Sequence, residues 1–111
     1  MDRKALKDNY KQRKVNGGIY RVTNTRSGKF LLGYTPDVQA KQNAFNFAIS
    51  SNLFFDPRLR EDWGELGGKV FTFEILETLV KKSDQTDEQF MADLQMLEQI
   101  WTKKLDVADR Y

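Results

Sequence analysis

The stretch Gly18-Ile19-Tyr20-Arg21-Val22-Thr23-Asn24-Thr25-Arg26-Ser27-Gly28-Lys29-Phe30-Leu31-Leu32-Gly33-Tyr34-Thr35 decides how this 111-residue chain is read. Two runs rich in β-branched, aromatic and aliphatic residues, 19–23 and 29–34, favour strands. Asn24-Thr25-Arg26-Ser27-Gly28 between them is turn chemistry, with Gly28 free to take a positive φ. The segment is a hairpin. Strand side chains alternate, so Tyr20 and Val22 share one face, and Phe30 and Leu32 share one on the second strand.

Upstream, residues 2–14 read as a short basic helix with Leu6 and Tyr10 on one face, stopped by Gly17-Gly18. Downstream, Thr35-Pro36 reads as a helix start, because threonine caps an orphan amide and proline fits a first turn. That helix is expected to carry Val38, Phe45 and Ile49 inward. Asp56-Pro57 repeats the signal and opens a helix with Leu59 and Trp63, ending near Gly64 to Gly68. Val70 to Leu79 alternates as a strand, with Phe71, Phe73 and Ile75 on one face. Thr86 with Gln89 is a capping box. It opens the longest helix, whose Phe90, Leu94, Leu97, Trp101 and Leu105 form a stripe of helical period and hence a core face. The expected architecture is a single domain over residues 1–111 with an N-terminal basic helix (1–15). Its class is α/β in the broad sense and α+β in detail: a small three-stranded sheet flanked by helices.

Cysteine and histidine are both absent. That excludes disulfides, Cys/His zinc sites, a thiol nucleophile and a Ser-His-Asp triad. A bound metal would need oxygen ligands, which favours magnesium, manganese or calcium. No apolar run is long enough for a membrane span or an export signal, so no membrane partner is expected. Together with the lack of cysteine this suggests a soluble cytoplasmic protein.

The formal net charge is +2, but it is unevenly distributed. Residues 1–35 hold nine Lys/Arg against two Asp, while 36–80 and 81–111 are each net acidic. A basic N-terminal third suits a phosphate backbone through counterion release. Arg3, Lys4, Lys7, Lys11, Arg13, Lys14, Arg26 and Lys29 are the candidate phosphate contacts. The alternative reading of the same charges is a solvated surface helix.

The hairpin motif resembles that of the GIY-YIG nuclease family. Gly18-Ile19-Tyr20 stands as the first motif. Leu31-Leu32-Gly33, after a Gly28-Lys29 turn, stands where the second usually reads Tyr-Ile-Gly. Leu59-Arg60-Glu61-Asp62-Trp63 is similar to the family's short helix before its third strand, Val70–Glu77 to that strand, and Leu97–Leu105 to the helix bearing its acidic residue. The resemblance spans residues 16–105 in order. It implies phosphodiester cleavage with one divalent metal, magnesium or manganese, and a nucleic-acid partner, with DNA first. A carboxylate would hold the metal, a guanidinium would stabilise the transition state, and phenols would position or deprotonate water. A phenol of pKa about 10 can act as base at neutral pH only if nearby positive charge lowers that value.

By this resemblance Tyr20 is the first catalytic tyrosine, and Glu98 is the acidic residue and metal ligand. The same residues read without it are a core strand aromatic and an exposed helix glutamate. Lys41 stands near the family's arginine position; a gapped alignment puts Ala44 there instead, with no charge. Leu31 lacks the second hydroxyl, and Tyr34, three residues on, points to the other strand face. The family's histidine and closing asparagine are absent. Losing one transition-state donor commonly costs about 100–1000-fold. The leading expectation is therefore a nuclease-like domain with a degraded site that still binds nucleic acid. The alternatives are an active, divergent magnesium-dependent endonuclease using Tyr20, Lys41 and Glu98, and a non-catalytic protein-interaction module using the acidic helix from Asp84 to Asp109.

Overall fold

The computed structural model describes residues 15–105 and 107–111. The expected N-terminal helix lies outside them, as do six of the candidate phosphate contacts, Arg3, Lys4, Lys7, Lys11, Arg13 and Lys14. The hairpin forms as read, with β1 (Asn16–Asn24) antiparallel to β2 (Phe30–Thr35) and Tyr20 opposite Gly33. Gly28 takes φ 79° in the turn. The turn is fixed by Asn24, which is fully buried. Its side-chain oxygen accepts from the amides of Arg26 and Ser27, and its amide donates to the Tyr111 hydroxyl at 2.9 Å.

The third strand, β3 (Phe71–Val80), pairs antiparallel with β1, giving the order β2-β1-β3. A bulge leaves Leu76 as the extra residue opposite the Ile19/Tyr20 step. Leu76 packs against the Ile19 side of the sheet, whereas Ile75, expected in the core, is 39% exposed. Strict alternation fails at that step because one extra residue shifts the pairing.

Between β2 and β3 lie α1 (Val38–Ser51), a 3-10 turn (Pro57–Leu59) running into α2 (Arg60–Leu66), and a second 3-10 turn (Gly68–Val70). The start of α1 corrects the sequence reading. Thr35 remains in β2, Pro36 precedes the helix, and Asp37 is the cap, accepting from the Ala40 amide at 3.0 Å. Asp56 caps the 3-10 turn as the Asp-Pro pair suggested. Thr86 and Gln89 form the capping box of α3 (Asp87–Lys104) in both directions.

The helices divide between the two faces of the sheet. On one face Tyr20, Val22, Leu31, Phe45, Ala48, Leu59, Trp63 and Phe71 form the main core, with α1 and α2 packed against it. On the other, Leu97, Trp101 and Leu105 cover Ile19, Phe30 and Leu32. Both outer strands could expose unpaired backbone, and the outer edge of β2 is covered. Arg110 bridges in parallel to Phe30, and the Tyr111 amide donates to the Phe30 carbonyl at 2.8 Å. No helix among the described residues is long and apolar enough to cross a membrane.

Candidate functional site

Tyr20 projects from the central strand across Gly33 of β2. A Cβ at Gly33 would lie 2.5 Å from the Tyr20 hydroxyl oxygen. The second motif therefore needs glycine at this position so that the phenol can pass over it. Phe73 stacks on the ring at 5.3 Å and 13°, and Phe55 meets it edge-on at 6.3 Å. The side chain is 2% exposed.

Four charged groups surround this phenol. Arg58, at the 3-10 turn, is near enough for its charge to lower the phenol's pKa. Asp56 holds Arg58 in a two-point grip, with Nε to Oδ1 at 3.1 Å and Nη2 to Oδ2 at 3.0 Å. From α1, the Lys41 ammonium sits 5.7 Å from the Tyr20 ring centre and 5.4 Å from that of Phe55. It rests on two aromatic faces rather than on a carboxylate, a cation–π arrangement. Glu98 approaches from α3, on the opposite face of the sheet, and its charge is felt by both Tyr20 and Arg58. It acts on Tyr20 through charge, from beside the point where Arg110 reaches the Leu32 carbonyl of β2.

Glu98 is not alone there. Arg110 donates to its carboxylate at 3.1 Å, to Thr102 Oγ1 at 3.2 Å and to the Leu32 carbonyl at 3.4 Å. Both ends of this ion pair are only about a quarter exposed. One acidic side chain, already paired, is a thin donor set for a divalent cation. Among the described residues no group of three acidic side chains is arranged to hold one. A divalent cation at Glu98 would compete with Arg110 for the same carboxylate.

The electrostatics of the phenol run against the expectation for a base. Burial raises the Tyr20 pKa to about 12; the neighbouring Arg58 charge lowers it, but not enough to offset burial and the Asp56 and Glu98 charges. At pH 7 only about one such phenol in 100,000 is ionised. Tyr20 is a neutral hydroxyl. For Asp56, burial works against ionisation, but the hydrogen bonds from Arg58 and the Arg58 and Lys41 charges outweigh it and hold the carboxyl below its usual range.

The raised phenol pKa has a stability consequence. The unfolded chain loses this proton near pH 10 and the folded chain near 12, so the unfolded state binds fewer protons in between. The contribution is fully present below pH 10 and disappears as pH rises to 12; its full size is about 2–3 kcal/mol. Urea unfolding across that window should show wild type losing more stability than Tyr20→Phe. Parallel profiles would contradict the assignment.

Of the residues singled out from sequence, Lys41 stands over the Tyr20 ring, whereas Glu98 lies on the opposite face of the sheet and acts on Tyr20 through its charge. Leu31 is fully buried in the main core. Tyr34 faces the other side, its hydroxyl accepting from Gln95 at 2.9 Å. Ala44 is exposed on α1. Arg26 and Lys29 are exposed at the hairpin turn. Sequence reasoning missed Arg58, Asp56 and Arg110. Arg58 comes from the segment after α1 rather than from α1, where an arginine was sought. The Asp-Pro-Arg cap was a visible signal for the first two. Arg110 carried none, since its place depends on the chain's end lying along β2.

No family model matches the sequence, and no curated protein matches it significantly. Two solved structures are similar in fold. The catalytic domain of the homing endonuclease I-TevI superposes with a TM-score of 0.60 at 22% identity, covering 86% of this chain and 95% of that one. A mutant of the catalytic domain of that intron endonuclease gives 0.61 at 20% identity, covering 86% and 91%. The shared feature is the fold: a three-stranded antiparallel sheet with helices, as in a GIY-YIG catalytic domain.

Proposed function

We propose that this GIY-YIG-like fold serves as a nucleic-acid-binding domain whose former cleavage site holds a phosphate but does not hydrolyse it. One observation carries the reading: both carboxylates whose charges act on Tyr20 already have an arginine, Asp56 with Arg58 and Glu98 with Arg110. A divalent ion at Glu98 would have to displace a guanidinium from a partly buried pair, leaving that charge uncompensated. Neither residue at the two tyrosine positions activates water, since Tyr20 stays protonated and Leu31 has no hydroxyl. Phosphate recognition survives. Lys41 lies over the Tyr20 and Phe55 rings and Arg58 is half-exposed, so these two cations are the phosphate contacts, with the buried Tyr20 ring as the platform beneath Lys41. DNA is the first partner to test.

Arg58 also favours a second reading, since it supplies beside Tyr20 the guanidinium that α1 lacks. An active, divergent magnesium- or manganese-dependent nuclease would use it to stabilise the transition state. The test is incubation of the purified protein with plasmid and single-stranded DNA, with and without each metal. The expected outcome is retention without cleavage; cleavage that disappears in Glu98→Ala would establish the second reading instead. If neither DNA nor RNA binds at low salt, the chain is better read as a protein-interaction module. A cytoplasmic location remains part of the proposal.

A further inference from the structure

The segment Phe54-Phe55-Asp56-Pro57-Arg58-Leu59-Arg60 does two things at once. Asn52 ends α1 in the left-handed region, at φ 58°, and turns the chain back across the helix end. The next two aromatics then face opposite ways. Phe55 turns inward against Tyr20, Phe45 and Phe73. Phe54 turns outward and is 52% exposed. Its ring lies beside α2: the Arg60 guanidinium is 5.7 Å from its centre, and its edge faces Gly64, where no side chain intervenes. Phe54, Phe55, Asp56, Pro57 and Arg60 line an open groove of about 280 Å³.

We infer that this groove is a stacking subsite for an unpaired nucleobase, so that the partner is single-stranded nucleic acid or a duplex with an unpaired nucleotide. The inference rests on the phosphate-binding reading above and names its substrate class. The groove offers an aromatic face and a planar cation on one wall, which stack on any base. The same seven residues carry Arg58 to Tyr20, with Lys41 bridging through Phe55. Asp56, the one acid in the lining, is neutralised by Arg58, and Arg60 and Lys41 beside an apolar platform match a nucleotide, which carries a flat ring and an anion one sugar apart. A duplex hides its ring faces in the stack and presents only phosphates and groove edges, so it cannot use Phe54 this way.

The experiment compares fluorescently labelled oligothymidylate with a blunt duplex of equal length, by anisotropy at low salt, for wild type, Phe54→Ala, Phe54→Trp and Arg60→Ala. Phe54 is a surface side chain, and thermal melting confirms that each variant is folded. Phe54→Ala should weaken oligothymidylate binding by about 5-fold to 100-fold and leave duplex binding within about 2-fold, while Phe54→Trp restores the single-strand affinity. An oligonucleotide of abasic sites should show no difference between wild type and Phe54→Ala. Equal loss on both nucleic acids, or no loss on either while salt-dependent binding persists, overturns the stacking subsite and leaves the phosphate-binding reading standing. Self-association of wild type that Phe54→Ala abolishes assigns the groove to a second copy and also overturns it. If wild type binds neither nucleic acid, both readings fall together.

Discussion

Raising salt from 50 to 200 mM is expected to weaken duplex DNA binding by about 10³-fold to 10⁵-fold, because about eight cations are assigned to phosphates. They are Arg3, Lys4, Lys7, Lys11, Arg13, Lys14, Arg26 and Lys29. Each released counterion contributes about −0.9 to the log–log slope, so these eight contribute about −7. Alanine at the six positions within residues 1–14 should remove about 5 of that slope, leaving the share of Arg26 and Lys29 at the hairpin turn and of Lys41 and Arg58 beside Tyr20. Residues 15–111 are net acidic on their own, so the long-range attraction should fall with the slope. An unchanged slope in the six-alanine variant would place the phosphate contacts elsewhere.

Trp63→Ala should cost about 3–5 kcal/mol by urea unfolding, a large share of the 5–15 kcal/mol typical of a domain this size. The indole is 4% exposed, stacks on Phe71 at 4.9 Å and meets Phe45 edge-on at 5.9 Å. It also covers Gly68, where a Cβ would come within 2.5 Å of the ring. Trp63 therefore ties α2 and the turn after it to the sheet. Arg58 stands just before that helix and Arg60 begins it, so the variant should also displace Arg58 from beside Tyr20. A cost below about 1 kcal/mol would mean the α2 layer is not part of the cooperative core.

Much of the fold was legible because its signals are local. The hairpin follows from turn residues between β-rich runs, and α3 from a capping box and a helical stripe. Errors came where a neighbour decided the outcome. Thr35 reads as a cap, yet Asp37 is better placed because Thr35 is drawn into the β1 pairing. Ile75 lies on the core side by parity but sits next to the bulge. The site was half legible. Tyr20, Lys41 and Glu98 are named by the family resemblance; the structure sets Lys41 over the Tyr20 ring and leaves Glu98 acting on it through charge from the other face of the sheet. Arg58 and Arg110 were not legible, because they arrive through tertiary contacts, one from a cap and one from the end of the chain against β2. These two arginines alter the chemistry most, since each sits on a carboxylate whose charge acts on the phenol.

If Glu98 serves an ion pair with Arg110 and holds no metal, calorimetric titration of manganese into wild type and Glu98→Ala should give the same small, unsaturable heats for both proteins. A stoichiometric site in wild type that vanishes in Glu98→Ala would make Glu98 a metal ligand and overturn the degraded-site reading.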